Sequence, residues 1–182
     1  MTVKFGFNDE KAVEVLAFLA AEWDGISPFY VAKVLFFAEK WHLNEYGRPI
    51  IGDTYVAMKE GPVPSTVRDY INGNFLRYRK PGTLDAAVKI EDGPYYKKLR
   101  RGERDPDLSR LSETDIEQLR KAMAFCKGKS REFLSDLTHK EKSWLSAPRN
   151  RDMKYENFVD EKNPKRDEIL REAKEFALHG IL

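Results

Sequence analysis

The sequence predicts an α+β fold, a mostly helical single domain spanning 1–182 with a small antiparallel three-stranded sheet. Helical apolar spacing bracketed by start and stop signals recurs along the chain, whereas two-residue alternation is confined to a middle segment. At 182 residues the chain has the size at which one core is usually built. The segment 149–182 is expected to add a helical extension at the C-terminal end.

"NDEKAVEVLAFLAAEW" reads as a first helix, with Asn8 as N-cap, Asp9 and Glu10 in the first turn, and Ala12, Val13, Leu16, Leu19 and Ala20 as its apolar stripe. "SPFYVAKVLFFAEKWHLNEYG" begins a second helix with Ser27 as N-cap and Pro28 at the first helical position, and Gly47 is its stop. Apolar residues surround much of its girth, as in a central helix, and Trp41 falls near the buried side. "TYVAMK" alternates as a short strand with Tyr55 and Ala57 on one face, Val56 and Met58 on the other. Pro62 and Pro64 lack an amide proton, so they are expected to end that strand, and "PSTVRDYING" is a short helix closing at Gly73. Two further strands are expected at 84–90 and 94–100, joined at Asp92-Gly93, with Pro94 making the second an edge. Ser112 with Asp115 three residues on opens the clearest helix, which stops at Lys127-Gly128. Ser130 caps the next, read as continuous through Trp144 and Leu145. Residues 148–163 read as irregular, and Asn163 and Pro164 open a final amphipathic helix.

Apolar residues at 41% and charged residues at 34% describe a globular chain with a well-covered surface. No apolar run approaches the ~20 residues of a membrane helix, and the N-terminal residues have no export-signal pattern, so a cytoplasmic location is expected. Cys126 is the single cysteine, which excludes an intrachain disulfide and a thiolate metal cluster; a buried, inert thiol is the expected state. His42, His139 and His179 lie far apart in sequence and form no metal-ligand motif. No cofactor is predicted.

Charge is unevenly placed. Residues 1–60 carry 6 basic and 9 acidic side chains, residues 61–104 carry 10 and 5, and residues 105–182 balance at 16 and 16. The basic middle interleaves tyrosines with Arg77, Arg79, Lys80, Lys97, Lys98, Arg100 and Arg101, a pattern that suits a nucleic-acid groove, an acidic protein surface or a solvated strand and turn. Glu39, His42 and Glu45, spaced by three, share a helix face that could carry a general base or a metal ligand; with no second histidine or cysteine nearby, a histidine hydrogen-bonded into a helix–sheet junction is the expected state. "GPVPS" has prolines where a phosphate loop needs amide donors, and no nucleophile elbow surrounds Ser65. No catalytic constellation emerges.

Val34-Leu35-Phe36-Phe37-Ala38, then Gly52-Asp53-Thr54-Tyr55-Val56-Ala57, then Gly61-Pro62-Val63-Pro64 closely resemble the signature of the Panacea domain, the SocA-like antitoxin family that includes GepA-type phage-associated proteins. The resemblance extends over about residues 9–148. It implies a small bacterial or phage-borne antitoxin, not an enzyme, that neutralises a toxin encoded next to it by direct protein contact. Candidate motif or partner-binding positions, drawn from the signature and the ring-rich residues around it, are Trp41, His42, Tyr46, Asp53, Tyr55, Met58, Gly61, Pro62, Pro64 and Trp144. Gly61 to Pro64 either fixes a strand-to-helix corner or touches the partner. A nucleic-acid-binding regulator using residues 77–104 stands as the alternative.

Overall fold

A computed structural model describes residues 3–75 and 80–180. Two apolar helices form its centre. Asn8 accepts the Lys11 amide at 2.9 Å and starts α1 (Asp9–Glu22), in which every residue from Lys11 to Ala20 is buried. Helix α2 (Pro28–Tyr46) is buried without interruption from Val31 to Lys40. A helix buried on nearly every side cannot be covered by one neighbour, so α2 collects partners from most of the chain. Gly47, at φ 69°, ends it in the left-handed conformation its sequence position predicts. Ser27 occupies the N-cap position, but its side chain makes no capping bond.

The expected α+β class is what the chain adopts. The strands, however, form two separate antiparallel hairpins among the described residues, not one three-stranded sheet. In the first, β1 (Tyr55–Met58) pairs with β2 (Gly61–Pro64), Val56 opposite Val63 and Met58 opposite Gly61. The prolines, expected only to end β1, therefore lie inside a strand of their own. Strand parity explains it. The backbone groups of Tyr55 and Ala57 turn the other way, to Met153 at 2.8 Å and to Asn150 and Arg151 at 2.8 and 3.0 Å, which leaves Val56 and Met58 to bond β2. Their partners Val63 and Gly61 have amide protons; Pro62 and Pro64 fall at the alternate positions, where none is needed. The segment read as irregular thus lines the outer edge of β1, through an antiparallel bridge of Val56 with Asp152.

Helix α3 (Ser65–Asn72) follows β2 directly and ends at Gly73. The predicted strand at 84–90 divides: Leu84–Ala87 form one helical turn, α4, before β3 (Val88–Glu91). Two alanines favour the turn over a strand, and it buries Leu84 and Ala87 in the core. The return strand β4 (Lys98–Arg101) pairs Ile90 with Leu99 and starts later than predicted, because Tyr95 and Tyr96 belong to the connecting loop. Leu99 also bonds the Ile26 carbonyl at 2.9 Å, joining this hairpin to the α1–α2 connection.

A short 3-10 turn (Leu108–Arg110) leads to α5 (Glu113–Cys126), where Ser112 and Asp115 make the predicted reciprocal cap at 3.1 and 2.9 Å. Ser130 caps α6 (Arg131–His139) through the Phe133 amide at 3.1 Å. The helix expected to continue to Leu145 breaks at Lys140–Glu141 and resumes as α7 (Lys142–Leu145). Inside its last turn Thr138 Oγ1 bonds back to the Leu134 and Ser135 carbonyls at 2.9 and 3.0 Å, a bond that bends helices. A second 3-10 turn (Tyr155–Asn157) precedes α8 (Arg166–His179). That helix begins two residues beyond Pro164: Asn163 Oδ1 accepts the Lys165 amide at 3.0 Å in a turn that precedes the helix, while its Nδ2 bonds the Asn44 carbonyl at 3.1 Å. Met153, Tyr155, Phe158, Val159, Ile169 and Ala173 enter the same hydrophobic core as α1 and α2.

Gly61 is closely walled in. Its φ is +107°, and a Cβ there would stand 2.2 Å from Lys33 Nζ and 2.4 Å from Thr138 Oγ1. Gly73, at φ +70°, has nothing within 4 Å of such an atom. Gly61→Ala should therefore cost about 2 kcal/mol or more in urea denaturation, above the roughly 1 kcal/mol of Gly73→Ala.

Candidate functional site

The signature residues converge on α2. Glu39 is fully buried and receives the Ile50 amide at 2.7 Å and the Ile51 amide at 2.9 Å, one on each carboxylate oxygen. Burial pushes its carboxyl up to about 7, against those two donors. Asp53 repeats the device one loop later, accepting Thr66 and Val67 amides at 3.1 and 2.9 Å and so capping α3. Its carboxyl is also raised by burial. Tyr55 is buried between the rings of Phe36 and Phe158, with centroids 6.1 and 5.4 Å away. Tyr155 reaches the Asp53 carbonyl at 2.7 Å.

Lys33, preceding the apolar signature, is 1% exposed. Its ammonium bonds the Glu60 carbonyl and, at 3.0 Å, Thr138 Oγ1, tying the β1–β2 turn to α6. Burial lowers its pKa to about 7. A side chain at position 61 would occupy this junction, which is the physical demand for glycine at the start of Gly61-Pro62-Val63-Pro64.

His42 lies at a helix–helix junction, not the expected helix–sheet one. Its Nδ1 is 2.8 Å from the Arg48 carbonyl and its Nε2 is 3.0 Å from Thr114 Oγ1. A carbonyl accepts only, so Nδ1 carries the proton and Nε2 accepts from Thr114. Burial, foremost, lowers its pKa to about 4. Neighbouring Asp115 is buried too, yet Lys11 at 2.8 Å, helped by Arg48 at 3.2 Å, holds its carboxyl below the ordinary range. His42 and Glu39 serve different partners, and Glu45 faces Gln118 Nε2 at 2.9 Å. The three do not form a site. Among the described residues no group of three His, Cys, Asp or Glu is placed to hold a metal ion. Cys126 is buried, and burial pushes its thiol up to about 12.

The remaining predicted positions are nearer the surface. Half-buried Met58 receives Trp144 Nε1 on its carbonyl at 3.1 Å. A groove of about 270 Å³ opens beside them, lined by Ala57, Lys59, Trp144, Leu145, Ala147 and Arg149. Leu145 is 64% exposed on its rim. Tyr46 is exposed and packs its ring 4.7 Å from His42. Trp41 is half-buried against Phe37 and Phe125, at 5.5 and 5.6 Å.

The basic middle is largely neutralised from within. Lys80 pairs with Asp85 and Arg101 with Asp105. Lys97 reaches Asp92 at 2.6 Å, and Arg100 reaches Asp24 and Glu91 at 2.6 and 3.1 Å. Lys98 has no carboxylate partner among the described residues; Arg77 and Arg79 lie outside them.

Residues 31–145 match the family model described as antitoxin SocA-like, Panacea domain. The chain belongs to that family. The matched span runs from α2 to the last residue of α7 and so includes the buried frame just described, while α1, central to the core, and α8 lie outside the match. Comparisons with curated proteins and with solved structures find no match. Sequence reasoning named Asp53, Tyr55 and Gly61 from the Panacea signature and missed Lys33 and Thr138. The available signal was a lysine at the head of an otherwise apolar helical run.

Two outcomes follow from this geometry. Glu39→Gln presents an amide donor to one of two peptide donors, and should lower stability by about 1–3 kcal/mol in chemical denaturation. His42 is harder to protonate folded than unfolded, so its contribution to stability is full above pH 6.5 and is lost as pH falls from 6.5 towards 4, on the order of 3 kcal/mol in all. Melting curves of wild type and His42→Gln between pH 7 and 4 should therefore converge towards low pH; Glu39 titrates in both proteins and cancels.

Proposed function

We propose that this chain is the antitoxin of a toxin–antitoxin pair, binding and neutralising the protein encoded beside it without catalysing a reaction. Membership of the SocA-like Panacea family carries the reading. The burial of the signature supports it in a specific way. Asp53, Tyr55, Gly61, Pro62 and Pro64 are committed to the interior, and both ring nitrogens of His42 are bonded within the fold. Contact with a partner therefore falls to the side chains around the frame, such as Leu145, Trp144 and Trp41. Self-pairing of Lys80, Lys97, Arg100 and Arg101 reduces the charge that the described part of the basic middle offers to phosphates and favours a protein partner over nucleic acid.

Co-expression tests this directly. Production of the neighbouring reading frame alone should arrest growth, and production together with this chain should restore it and yield a co-purifying complex. A harmless neighbour, or arrest that persists on co-expression, would sink the reading.

A further inference from the structure

From Arg120 to Arg131 the chain carries five basic residues and no Asp or Glu. The segment covers the C-terminal half of α5, the α5–α6 turn and the first residue of α6. Its cations lie over a connected set of half-buried rings. Lys121 Nζ stands 5.1 Å from the Trp41 centroid, Lys127 Nζ 5.6 Å from that of Trp23, and Lys129 Nζ 4.3 Å from that of Phe125. Phe125 adjoins Trp41, and Trp23 adjoins Tyr30 at 5.1 Å; the Tyr30 hydroxyl bonds the Lys129 carbonyl at 2.6 Å, joining the two groups of rings.

The charges here differ from those of the basic middle. Arg120 and Arg131, at the two ends, are paired with Glu22 and Glu60 at 3.0 and 2.9 Å. Lys129 caps α5 by bonding the Phe125 carbonyl at 2.5 Å. Lys121 and Lys127, both exposed, have neither a carboxylate nor a hydrogen-bond partner among the described residues. Packing explains why the rings are present, and helix-end electrostatics favours cations near a C-terminus. Neither accounts for two unpaired ammonium groups held flat on tryptophans, a combination of aromatic anchors and uncompensated charge that protein interfaces use.

We propose that this face is a docking surface for a carboxylate-rich patch on a partner protein, which on the antitoxin reading, on which the identity of the partner rests, is the toxin. Carboxylates fit better than phosphates. The free charges are two discrete points flanked by Glu22 and Glu60, not a continuous line, and a cation covers a face of each ring on which a base would stack.

Lys121→Glu/Lys127→Glu leaves the Lys129 cap intact and tests the face, with Lys121→Gln/Lys127→Gln as a milder variant should the reversal unfold; far-ultraviolet circular dichroism checks both. Affinity for the protein of the neighbouring frame should fall about tenfold or more, the wild-type affinity should weaken with added salt, and that salt dependence should shrink in the variant. Equal affinity and equal rescue by variant and wild type would overturn the face while leaving the antitoxin reading intact. Failure of wild type to rescue would overturn that reading instead, and the face is then decided by poly-L-glutamate, monitored by tryptophan fluorescence. Binding that depends on Lys121 and Lys127 supports it; none, or equal binding by the variant, refutes it. A labelled DNA or RNA oligonucleotide bound more tightly than poly-L-glutamate through the same two lysines would replace the acidic protein with nucleic acid.

Discussion

The carboxylate of Glu39, set between the amides of Ile50 and Ile51, meets a problem that the central helix creates for itself. A helix buried on nearly every side must be covered by chain that turns sharply around it, and turning chain carries amides that have left water and found no ladder. An unmet buried donor costs about 1–3 kcal/mol. Helix α2 supplies the missing partners from its own side chains: Lys33 to the β1–β2 turn, Glu39 to the loop before β1, Lys40 to Glu141 and Asp160, His42 to the Arg48 carbonyl. Each bond fastens a different piece of the periphery. Asp53 extends the scheme by one step, closing the same loop onto α3.

This arrangement separates frame from face. The residues that define the Panacea signature are committed to the interior: glycine where a lysine and a threonine crowd the backbone, tyrosine between phenylalanines, aspartate on a helix end. None of those jobs depends on what the protein binds. The exposed side chains around them, Leu145 beside β1 and the lysine-covered rings along α5, carry few such obligations. The surface is thereby free to vary without disturbing the bonds that hold the frame.

Much of the local structure was legible in the chain. Asn8, Ser112 and Ser130 cap the helices they were expected to cap, and Gly47 and Gly73 end the ones they were expected to end, because a cap is a bond between residues two or three apart. Errors gathered where the deciding partner lay far away. Pro62 and Pro64 looked like strand breakers until the 150–153 segment took one edge of β1 and fixed which backbone groups face β2. Asn163, expected as an N-cap, instead turns the chain just before the helix, its Oδ1 on the Lys165 amide while its Nδ2 holds the carbonyl of Asn44, 119 residues earlier. The helix expected to run through Lys140 breaks beside Thr138, which Lys33 holds from a separation of 105 residues.

The same division applies to function. By itself the sequence determined the α+β class, the order of most elements, the absence of a recognisable catalytic motif and membership of the Panacea family, since all of these are written in short-range pattern. Only the tertiary structure decided which charges remain free. Arg100 and Arg101 looked available in a basic run and are held by Asp24, Glu91 and Asp105, whereas Lys121 and Lys127, on the most plainly marked helix of the chain, stand over Trp41 and Trp23 with no carboxylate partner among the described residues. A side chain's charge is local information; whether that charge is already spent depends on neighbours that folding brings together from anywhere in the chain.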